Sequence, residues 1–209
     1  MGNMPNSYGL SSVFGNETTP IPLFKAWLEE AKLNEVNDPS AFALATVDIS
    51  GQPSVRMLLL KGVVENGFVF YTNMNSRKAQ DLQVNPKASI CFHWKSLQRQ
   101  VRVSGSISRV SEEEADKYFE SRDHASKVGA WASLQSSPME QRSEFEKRIS
   151  DFQAKYPEGS IVPRPPHWSG WILSPEEVEF WLSGASRLHE RLVYKIQADA
   201  TWSQCLLYP

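Results

Sequence analysis

The last third of the sequence contains an alternating set of cationic side chains that could bind an anionic or planar ligand. We predict a strand over residues 187–196, and a side-chain period of two then places Arg187, His189 and Arg191 on one face. Two guanidinium groups beside an imidazole can hold an anion or an electron-rich ring. A charged, solvated face of an edge strand is the alternative interpretation.

A second cationic group, Arg77 and Lys78, lies at the start of a predicted helix, with Ser76 as its N-cap. The free N–H groups and the dipole of a helix N-terminus bind phosphate, and adjacent cations add to the attraction. Without an anion, cations at this end of a helix are mildly unfavourable. The pair therefore indicates a phosphate site, or else two side chains that point into water.

A third group consists of Tyr118, Arg122 and Ser126, which are spaced four residues apart. A capping box begins a helix at Ser111, and the three side chains share one face if that helix continues far enough. A phenol, a guanidinium and a hydroxyl on one stripe could cradle a second phosphate. Alternatively, the helix ends within residues 121–124.

Arg56 and Lys61 flank an apolar run and lie five residues apart, so on a regular strand they face opposite sides of the sheet. They could share one ligand only across a bulge, or they could bind two ligands. Residues 135–137 precede a predicted helix and could serve only as its cap. The common nucleotide-loop, zinc-protease and serine-hydrolase motifs are absent, and neither His93 nor His124 has metal-like partners, so we predict no metal site.

The composition limits the classes of function. The 209 residues include 22 Lys and Arg against 24 Asp and Glu, a net charge of −2 that disfavours a nucleic-acid binder. Hydrophobic residues at 41 % and charged residues at 22 % are typical of a globular protein. Two cysteines, Cys91 and Cys205, predict free thiols in a reducing compartment. We find no signal peptide and no apolar run of about 18 residues, so we expect a cytoplasmic protein with no membrane partner.

Hydrophobic periodicity and turn residues predict mostly β structure with peripheral helices (α+β). Closely spaced strands of this kind favour an antiparallel barrel or sandwich. We predict strands at residues 41–47, 54–61, 67–73, 88–94, 100–110, 178–182, 187–196 and 201–207. Helices are predicted at residues 22–33 and from Ser76, Ser111 and Ser137 onward. Residues 1–19 have the composition of a flexible tail, and we assign residues 20–209 to a single domain.

Short motifs, taken in order along residues 22–209, resemble the pyridoxamine 5′-phosphate oxidase family. The motifs that carry the resemblance are Arg56-Met57-Leu58-Leu59-Leu60-Lys61, Tyr71-Thr72-Asn73, Ser76-Arg77-Lys78-Ala79, Arg99-Gln100-Val101, Gly129-Ala130-Trp131-Ala132-Ser133 with Gln135-Ser136-Ser137, Glu179-Phe180-Trp181 and Arg187-Leu188-His189-Glu190-Arg191. So many ordered motifs make the resemblance far more specific than any single match.

The resemblance implies an FMN-binding split β-barrel that works as a homodimer, with each FMN in a cleft between the subunits. It implies oxidation of pyridoxamine 5′-phosphate or pyridoxine 5′-phosphate to pyridoxal 5′-phosphate. A hydride would pass from the substrate to the flavin, and dioxygen would take up the electrons as hydrogen peroxide. The amine substrate would also release ammonia.

The resemblance also implies a role for each matching residue. The FMN shell would comprise Arg56, Met57, Leu58, Leu59, Leu60, Lys61, Tyr71, Thr72, Arg77, Lys78, Gln100, Gln135, Ser136, Trp181 and Arg191. The substrate would be bound by Lys61, Tyr118, Arg122, Ser126, Arg187, Leu188 and His189. Of these, Arg187 and His189 would lie over the substrate ring as the catalytic groups. Two phosphates would then explain why Arg56 and Lys61 need not share a ligand.

Four positions depart from the usual family pattern: Leu134, Ser169, Glu190 and Leu206. None of them replaces a residue of the implied FMN shell or substrate site. Two other functions remain open. One is a catalytically weak, flavin-binding or pyridoxal-phosphate-binding relative with a regulatory role, and the other is a flavin-free barrel that binds RNA or another phosphate-rich ligand.

Overall fold

A computed structural model describes residues 8–64 and 67–209 of the chain. The helices are α1 (Pro20–Asn34), α2 (Arg77–Val84), α3 (Glu112–Glu120), α4 (His124–Ala132) and α5 (Arg142–Lys155), with 3₁₀ turns at Ser12–Phe14 and Ala185–Arg187. The strands are β1 (Ala41–Val47), β2 (Pro53–Leu59), β3 (Gly62–Val64), β4 (Gly67–Asn73), β5 (Lys87–Trp94), β6 (Arg99–Arg109), β7 (Trp168–Leu182), β8 (Glu190–Ile196) and β9 (Trp202–Leu206).

The strands form one antiparallel sheet in the order β2-β1-β5-β6-β7-β4-β3, with β8 paired to β7 and β9 to β8. This architecture confirms the prediction of a mostly β protein with peripheral helices. The predicted limits of β1 and β4 agree with the structure. The strand predicted to reach residue 61 instead ends at Leu59.

Aromatic side chains fill the concave side of the sheet. The amphipathic helix α1 places Phe24 and Trp27 against it, because residues three apart lie on one helical face. The Phe24 ring lies 4.8 Å from Phe68 and 5.0 Å from Phe92, and Trp27 lies 5.2 Å from Phe180, between ring centroids. Each fully buried phenylalanine contributes about 1.5–3 kcal/mol to stability. The helix therefore contributes its apolar face to the core of the sheet.

A bulge interrupts the long strand β7. Ser104 of β6 pairs with Glu177, whereas the next residue, Gly105, pairs with Pro175, so Glu176 is an extra residue on β7. A Cβ at Gly105 would lie 1.9 Å from the carbonyl oxygen of Ser174, which is why glycine is required there. The core residues of β7 are Trp171 and Leu173 before the bulge and Val178 and Phe180 after it. Odd positions therefore face the core in the first half of the strand, and even positions in the second half.

Part of the predicted N-terminal tail packs against the domain. Phe14 is fully buried, and the Trp27 indole donates a hydrogen bond to the carbonyl of Val13 at 2.7 Å. The amide and hydroxyl of Ser11 both donate to Glu190 at 2.7 Å. The prediction of a flexible tail is therefore wrong for this segment, because an aromatic residue in it completes the core. Residues 1–7 of that prediction lie outside the described residues.

The helix predicted from Ser137 begins five residues later, at Arg142, with Gln141 as its N-cap. Ser136 has a φ of 72°, and the amide of Ser137 donates to the carbonyl of Leu134 at 2.9 Å. This tight turn uses the residues that the sequence suggested as a helix cap. Residues 133–141 therefore form a loop beside α5.

Candidate functional site

A cavity of about 360 Å³ lies where β2, β4 and the start of β7 meet α4 and the loop after it. Residues predicted for both the flavin and the substrate line it, together with residues that were not predicted. The predicted ones are Leu58, Tyr71, Thr72, Arg122, Ser126 and Gln135, and Trp168 is among the others. The structure thus brings together residues that are up to 110 positions apart in the sequence.

Lys78 is a buried cation beside this cavity. Its ammonium group donates to the hydroxyls of Thr72 at 3.2 Å and Ser76 at 3.1 Å. Burial, and to a smaller extent the nearby Arg56, lowers the pKa of Lys78 to about 8, while Asp81 opposes the change. Lys78 forms no salt bridge with any described residue. An anion bound here would compensate for the cost of burying the charge.

Arg77 and Arg56 occupy different environments near Lys78. Arg77, the first residue of α2, is exposed, and its guanidinium lies 3.8 Å from the carboxylate of Asp48. Arg56 donates to the hydroxyls of Thr46 and Ser54, both at 2.7 Å. Arg77 is therefore free to move toward a ligand, whereas protein groups already hold Arg56 in place.

Three aromatic rings form a stack beside the cavity. Tyr71 lies 4.0 Å from Tyr118 and 5.1 Å from Trp168, with the rings nearly parallel. The Arg122 guanidinium lies 5.0 Å from the centre of the Trp168 ring. Its Nη1 atom is buried and has no hydrogen-bond partner among the described residues. Burial lowers the pKa of Arg122, while Tyr118 and Asp123 oppose the shift. Arg122 thus offers a desolvated donor to a ligand.

The helix predicted to carry Tyr118, Arg122 and Ser126 on one face is not continuous. Helix α3 ends at Glu120, and α4 begins at His124, with the carboxylate of Asp123 accepting a hydrogen bond from the amide of Ser126 at 2.8 Å. The extended backbone of Asp123, with φ −61° and ψ 154°, separates the two helices. The three residues still converge, because Tyr118 reaches the cavity wall through its stack on Tyr71 and the other two line it directly.

A second group of predicted residues lies across β6, β7 and β8. Gln100 pairs with Trp181, which pairs with Arg191. The rings of Trp181 and His189 are 4.6 Å apart. We call this group, together with Arg187, the second half-site, and the cavity with Lys78 the first half-site.

Arg187 and His189 precede β8 rather than lying on it, so the predicted alternation of Arg187, His189 and Arg191 along one strand is wrong. Ser186 and Arg187 have φ values of 54° and 66°, which no strand accommodates. A Cβ on Gly184 would lie 1.8 Å from the carbonyl oxygen of Leu188, so this turn also requires a glycine. Arg187 and Leu188 are exposed at its tip.

The turn also selects the tautomer of His189. The amide of Gly184 donates to Nδ1 of His189 at 3.2 Å. Nδ1 is therefore unprotonated, and the neutral ring carries its proton on Nε2. His189 can thus donate one hydrogen bond to a ligand from Nε2.

The two half-sites lie at opposite ends of β7. Tyr71 pairs with Gly170, whereas Trp181 lies eleven residues further along the same strand. At about 3.3 Å per residue, this separation is up to about 36 Å. One chain therefore presents two separate half-sites.

The remaining predicted residues are distributed between the two sheet faces. Leu58 lines the cavity, and Leu60 is buried. Met57 and Leu59 are exposed on the opposite face of β2, and Lys61 is exposed just beyond the strand. Gln135 accepts a hydrogen bond from the Thr72 hydroxyl at 3.3 Å, and Ser136 is exposed beside it.

The sequence interpretation missed Trp168 and Glu179 as parts of these sites. Trp168 supports both Tyr71 and Arg122, and Glu179 is a buried carboxylate that binds Arg191. Glu179 stands in a motif that carried the resemblance, but only strand pairing shows that it lies between two arginines. Of the four positions that depart from the family pattern, Leu134 and Leu206 are exposed. Ser169 is fully buried, and its hydroxyl has no partner among the described residues. Glu190 binds Ser11.

Among the described residues, none of the helices is long and apolar enough to cross a membrane. The same residues contain no group of three or more His, Cys, Asp and Glu side chains placed to hold a metal ion.

Solved structures first define the class of fold. The crystal structure of PhzG from Burkholderia lata 383 in complex with tetrahydrophenazine-1-carboxylic acid has a TM-score of 0.88 and 31 % identity, covering 95 % of this chain and 96 % of that one. A pyridoxamine 5′-phosphate oxidase-related, FMN-binding protein from Nostoc punctiforme PCC 73102 has a TM-score of 0.72 at 21 % identity, covering 90 % of this chain and 96 % of that one, and shows the same fold. The predicted split β-barrel is confirmed.

The family follows from sequence comparison. Residues 28–156 match the model of pyridoxamine 5′-phosphate oxidase, and residues 168–209 match that of the pyridoxine 5′-phosphate oxidase C-terminal dimerisation region. The pyridoxine/pyridoxamine 5′-phosphate oxidase of Pelagibacter ubique (strain HTCC1062) is 51 % identical, covering 99 % of this chain and all of that protein. The enzyme of that name from Rhodospirillum rubrum is 53 % identical, covering 91 % of this chain and 96 % of that protein. The chain belongs to the pyridoxamine 5′-phosphate oxidase family.

Proposed function

We propose that the chain is an FMN-dependent oxidase that converts pyridoxamine 5′-phosphate and pyridoxine 5′-phosphate to pyridoxal 5′-phosphate. One observation carries the proposal: Lys78 and Arg122 present two separate cationic donors at the first half-site, neither of them in a salt bridge with a described residue. Two such donors suit two phosphates, one on the cofactor and one on the substrate. The names of the relatives support the same reaction.

The residues present fit FMN. The buried ammonium of Lys78, the exposed guanidinium of Arg77 and the free N–H groups at the start of α2 would hold its phosphate. Thr72 and Gln135 supply polar groups in the cavity next to them. FMN supplies, when bound, the hydride acceptor whose electrons dioxygen then takes up as hydrogen peroxide.

The substrate phosphate would lie beside Arg122 in the same cavity. Arg122, held on the indole of Trp168, would donate to it together with the hydroxyls of Tyr118 and Ser126. The family resemblance assigns the exposed Lys61 to the same phosphate. Arg187 and the Nε2 proton of His189 belong to the second half-site, where they would orient the substrate ring. Alignment for hydride transfer is the main contribution of these residues.

We also propose a homodimer with FMN at the subunit interface, in which the second half-site of one copy completes the first half-site of the other. Met57, Ala43, Cys91, Arg102 and Glu179 follow one another in register across one face of the sheet, which we call the outer face. Its β2 edge exposes three apolar residues: Val55 at 65 %, Met57 at 63 % and Leu59 at 38 %. A partner that covers this face would remove them from water. A cytoplasmic location stays a prediction from cysteine usage.

The purified protein should be yellow and dimeric, and substrate should bleach it. Added without oxygen, pyridoxamine 5′-phosphate should remove the oxidised flavin absorption, and oxygen should restore it with release of hydrogen peroxide. Light scattering should give twice the chain mass of 23.7 kDa. A flavin that substrate does not bleach would instead favour a binding or regulatory relative, and a flavin-loaded monomer would contradict the interface site.

Changing Arg122 to Met should raise KM for the phosphorylated substrate by about 10- to 100-fold, since each charge-assisted hydrogen bond contributes about 1.5–3 kcal/mol. FMN content should not change. Steady-state kinetics with pyridoxamine 5′-phosphate and with unphosphorylated pyridoxamine measure the effect, which should vanish for pyridoxamine. Arg142→Met on the exposed face of α5 is the matched control. An equal loss with both substrates would place Arg122 outside the phosphate site.

A further inference from the structure

Glu179 is a buried carboxylate on the outer face of the sheet. Only 3 % of the residue is exposed, and its two oxygens bind different guanidinium groups. Oε1 accepts from Nε of Arg191 at 2.8 Å, and Oε2 accepts from Nη2 of Arg102. Burial raises the pKa of Glu179, but the hydrogen bonds from Arg191 and Arg102 outweigh this effect, so the pKa lies below its ordinary value. The carboxylate is therefore ionised at neutral pH.

These contacts hold Arg191 in one orientation. Its Nε atom binds Glu179, and its Nη1 atom donates to the carbonyl of Tyr208 at 2.9 Å. The third nitrogen, Nη2, has no hydrogen bond in the part of the chain that the structure describes. Because a guanidinium is planar, fixing two of its nitrogens also fixes the direction in which the third one donates.

Arg102 determines the net charge of the group that it forms with Glu179 and Arg191. One carboxylate shared by two guanidinium groups leaves a net charge of +1 on the three side chains. Arg102 is half-exposed, so water also stabilises its charge. Without Arg102, Glu179 and Arg191 would form a neutral pair with less attraction for an anionic or electron-rich ligand.

We propose that Glu179 is a positioning residue that aims the free Nη2 of Arg191 at FMN. The inference rests on the proposed function, in which Arg191 belongs to the FMN shell. Trp181, two residues beyond Glu179 on the same face and opposite Arg191, belongs to the same shell. Glu179, which is fixed on β7, thus sets the direction in which Arg191 on β8 donates its hydrogen bond.

The test measures the binding of FMN to the apoprotein. Quenching of the flavin fluorescence reports how much FMN is bound. Glu179→Gln keeps the shape of the side chain but removes its charge, and it should raise the Kd for FMN about 10-fold or more. In an Arg191→Ala background, the same change should alter Kd less than about twofold, because the residue it positions is gone. Glu177→Gln, two positions earlier on the same face and paired with Lys195, is the matched control.

Wild-type affinity in Glu179→Gln would overturn the inference. So would an undiminished effect in the Arg191→Ala background, or a loss of FMN that merely follows dissociation into monomers in light scattering. A wild-type protein that binds no FMN would instead overturn the proposed function itself. Glu179→Leu should weaken binding further, and if it fails to fold, the glutamine variant alone decides.

Discussion

Alanine at both Arg77 and Lys78 should weaken FMN binding by about 10²–10⁴-fold, because each removes charge-assisted hydrogen bonds of about 1.5–3 kcal/mol. Most of the loss should come from Lys78, which is buried beside Thr72, whereas Arg77 is exposed and lies near Asp48. Titration of the apoprotein with FMN measures the loss, and circular dichroism checks that the fold is retained.

The pH dependence should identify Lys78 as the main contributor. Its pKa of about 8 means that the free amine loses its proton above that pH, so FMN affinity should fall as the pH rises through 8. Apoprotein stability should change in the opposite sense. The unfolded chain binds this proton up to a pKa of 10.5, so stability rises between about pH 8 and 10.5.

Both pH effects should be absent in Lys78→Ala and present in Arg77→Ala. Lys87→Ala, which removes an exposed lysine paired with Glu176, controls for the loss of a surface charge. Unchanged FMN affinity in the double variant would mean that Arg77 and Lys78 are ordinary solvated surface charges.

Arg187→Ala should lower kcat/KM by about 10²–10³, the usual effect of losing one preorganised electrostatic contact. The side chain is exposed at the tip of its turn and forms no hydrogen bond or salt bridge with the rest of the described structure. Truncation should therefore leave the fold and the FMN content almost unchanged. Steady-state kinetics and flavin content measure the two effects separately.

Arg142→Ala, on the surface of α5, should change neither quantity. If Arg187→Ala emptied the flavin site while the residual loaded enzyme turned over normally, Arg187 would serve the cofactor and not the substrate.

Local sequence signals predicted the elements best. Runs of β-forming residues bounded by turn residues predicted β1 and β4, and the capping box at Ser111 forms as expected, with its hydroxyl accepting from the amide of Glu114 at 3.1 Å. They failed where the backbone takes an uncommon conformation. Nothing in the residue types of Ser186 and Arg187 announces two consecutive positive φ angles, so a strand was predicted where a turn occurs.

The anion-binding character of the site was also visible in the sequence, because Lys78 stands at the start of a predicted helix and Arg122 shares a predicted helical face with Tyr118 and Ser126. Their environments were not visible. The stack of Tyr71 on Trp168 joins residues 97 positions apart, and Glu179 meets Arg102 only through the register of β6 and β7. Phe14 was missed for the same reason, since a single aromatic residue in a polar segment gives no periodic signal.

The extra residue Glu176 changes which positions of β7 face the core. Before it, even-numbered residues such as Gly170 face away from the core, and after it, odd-numbered residues such as Trp181 do so. Deletion of Glu176 itself would restore a regular pairing of β7 with β6 and keep Val178 and Phe180 in the core. Deletion of a residue after the bulge, such as Val178, would instead shift every residue beyond it to the other face of the sheet. Glu179 and Trp181 would then turn toward the core and Phe180 toward water, so the length of this segment constrains the second half-site as strictly as its composition.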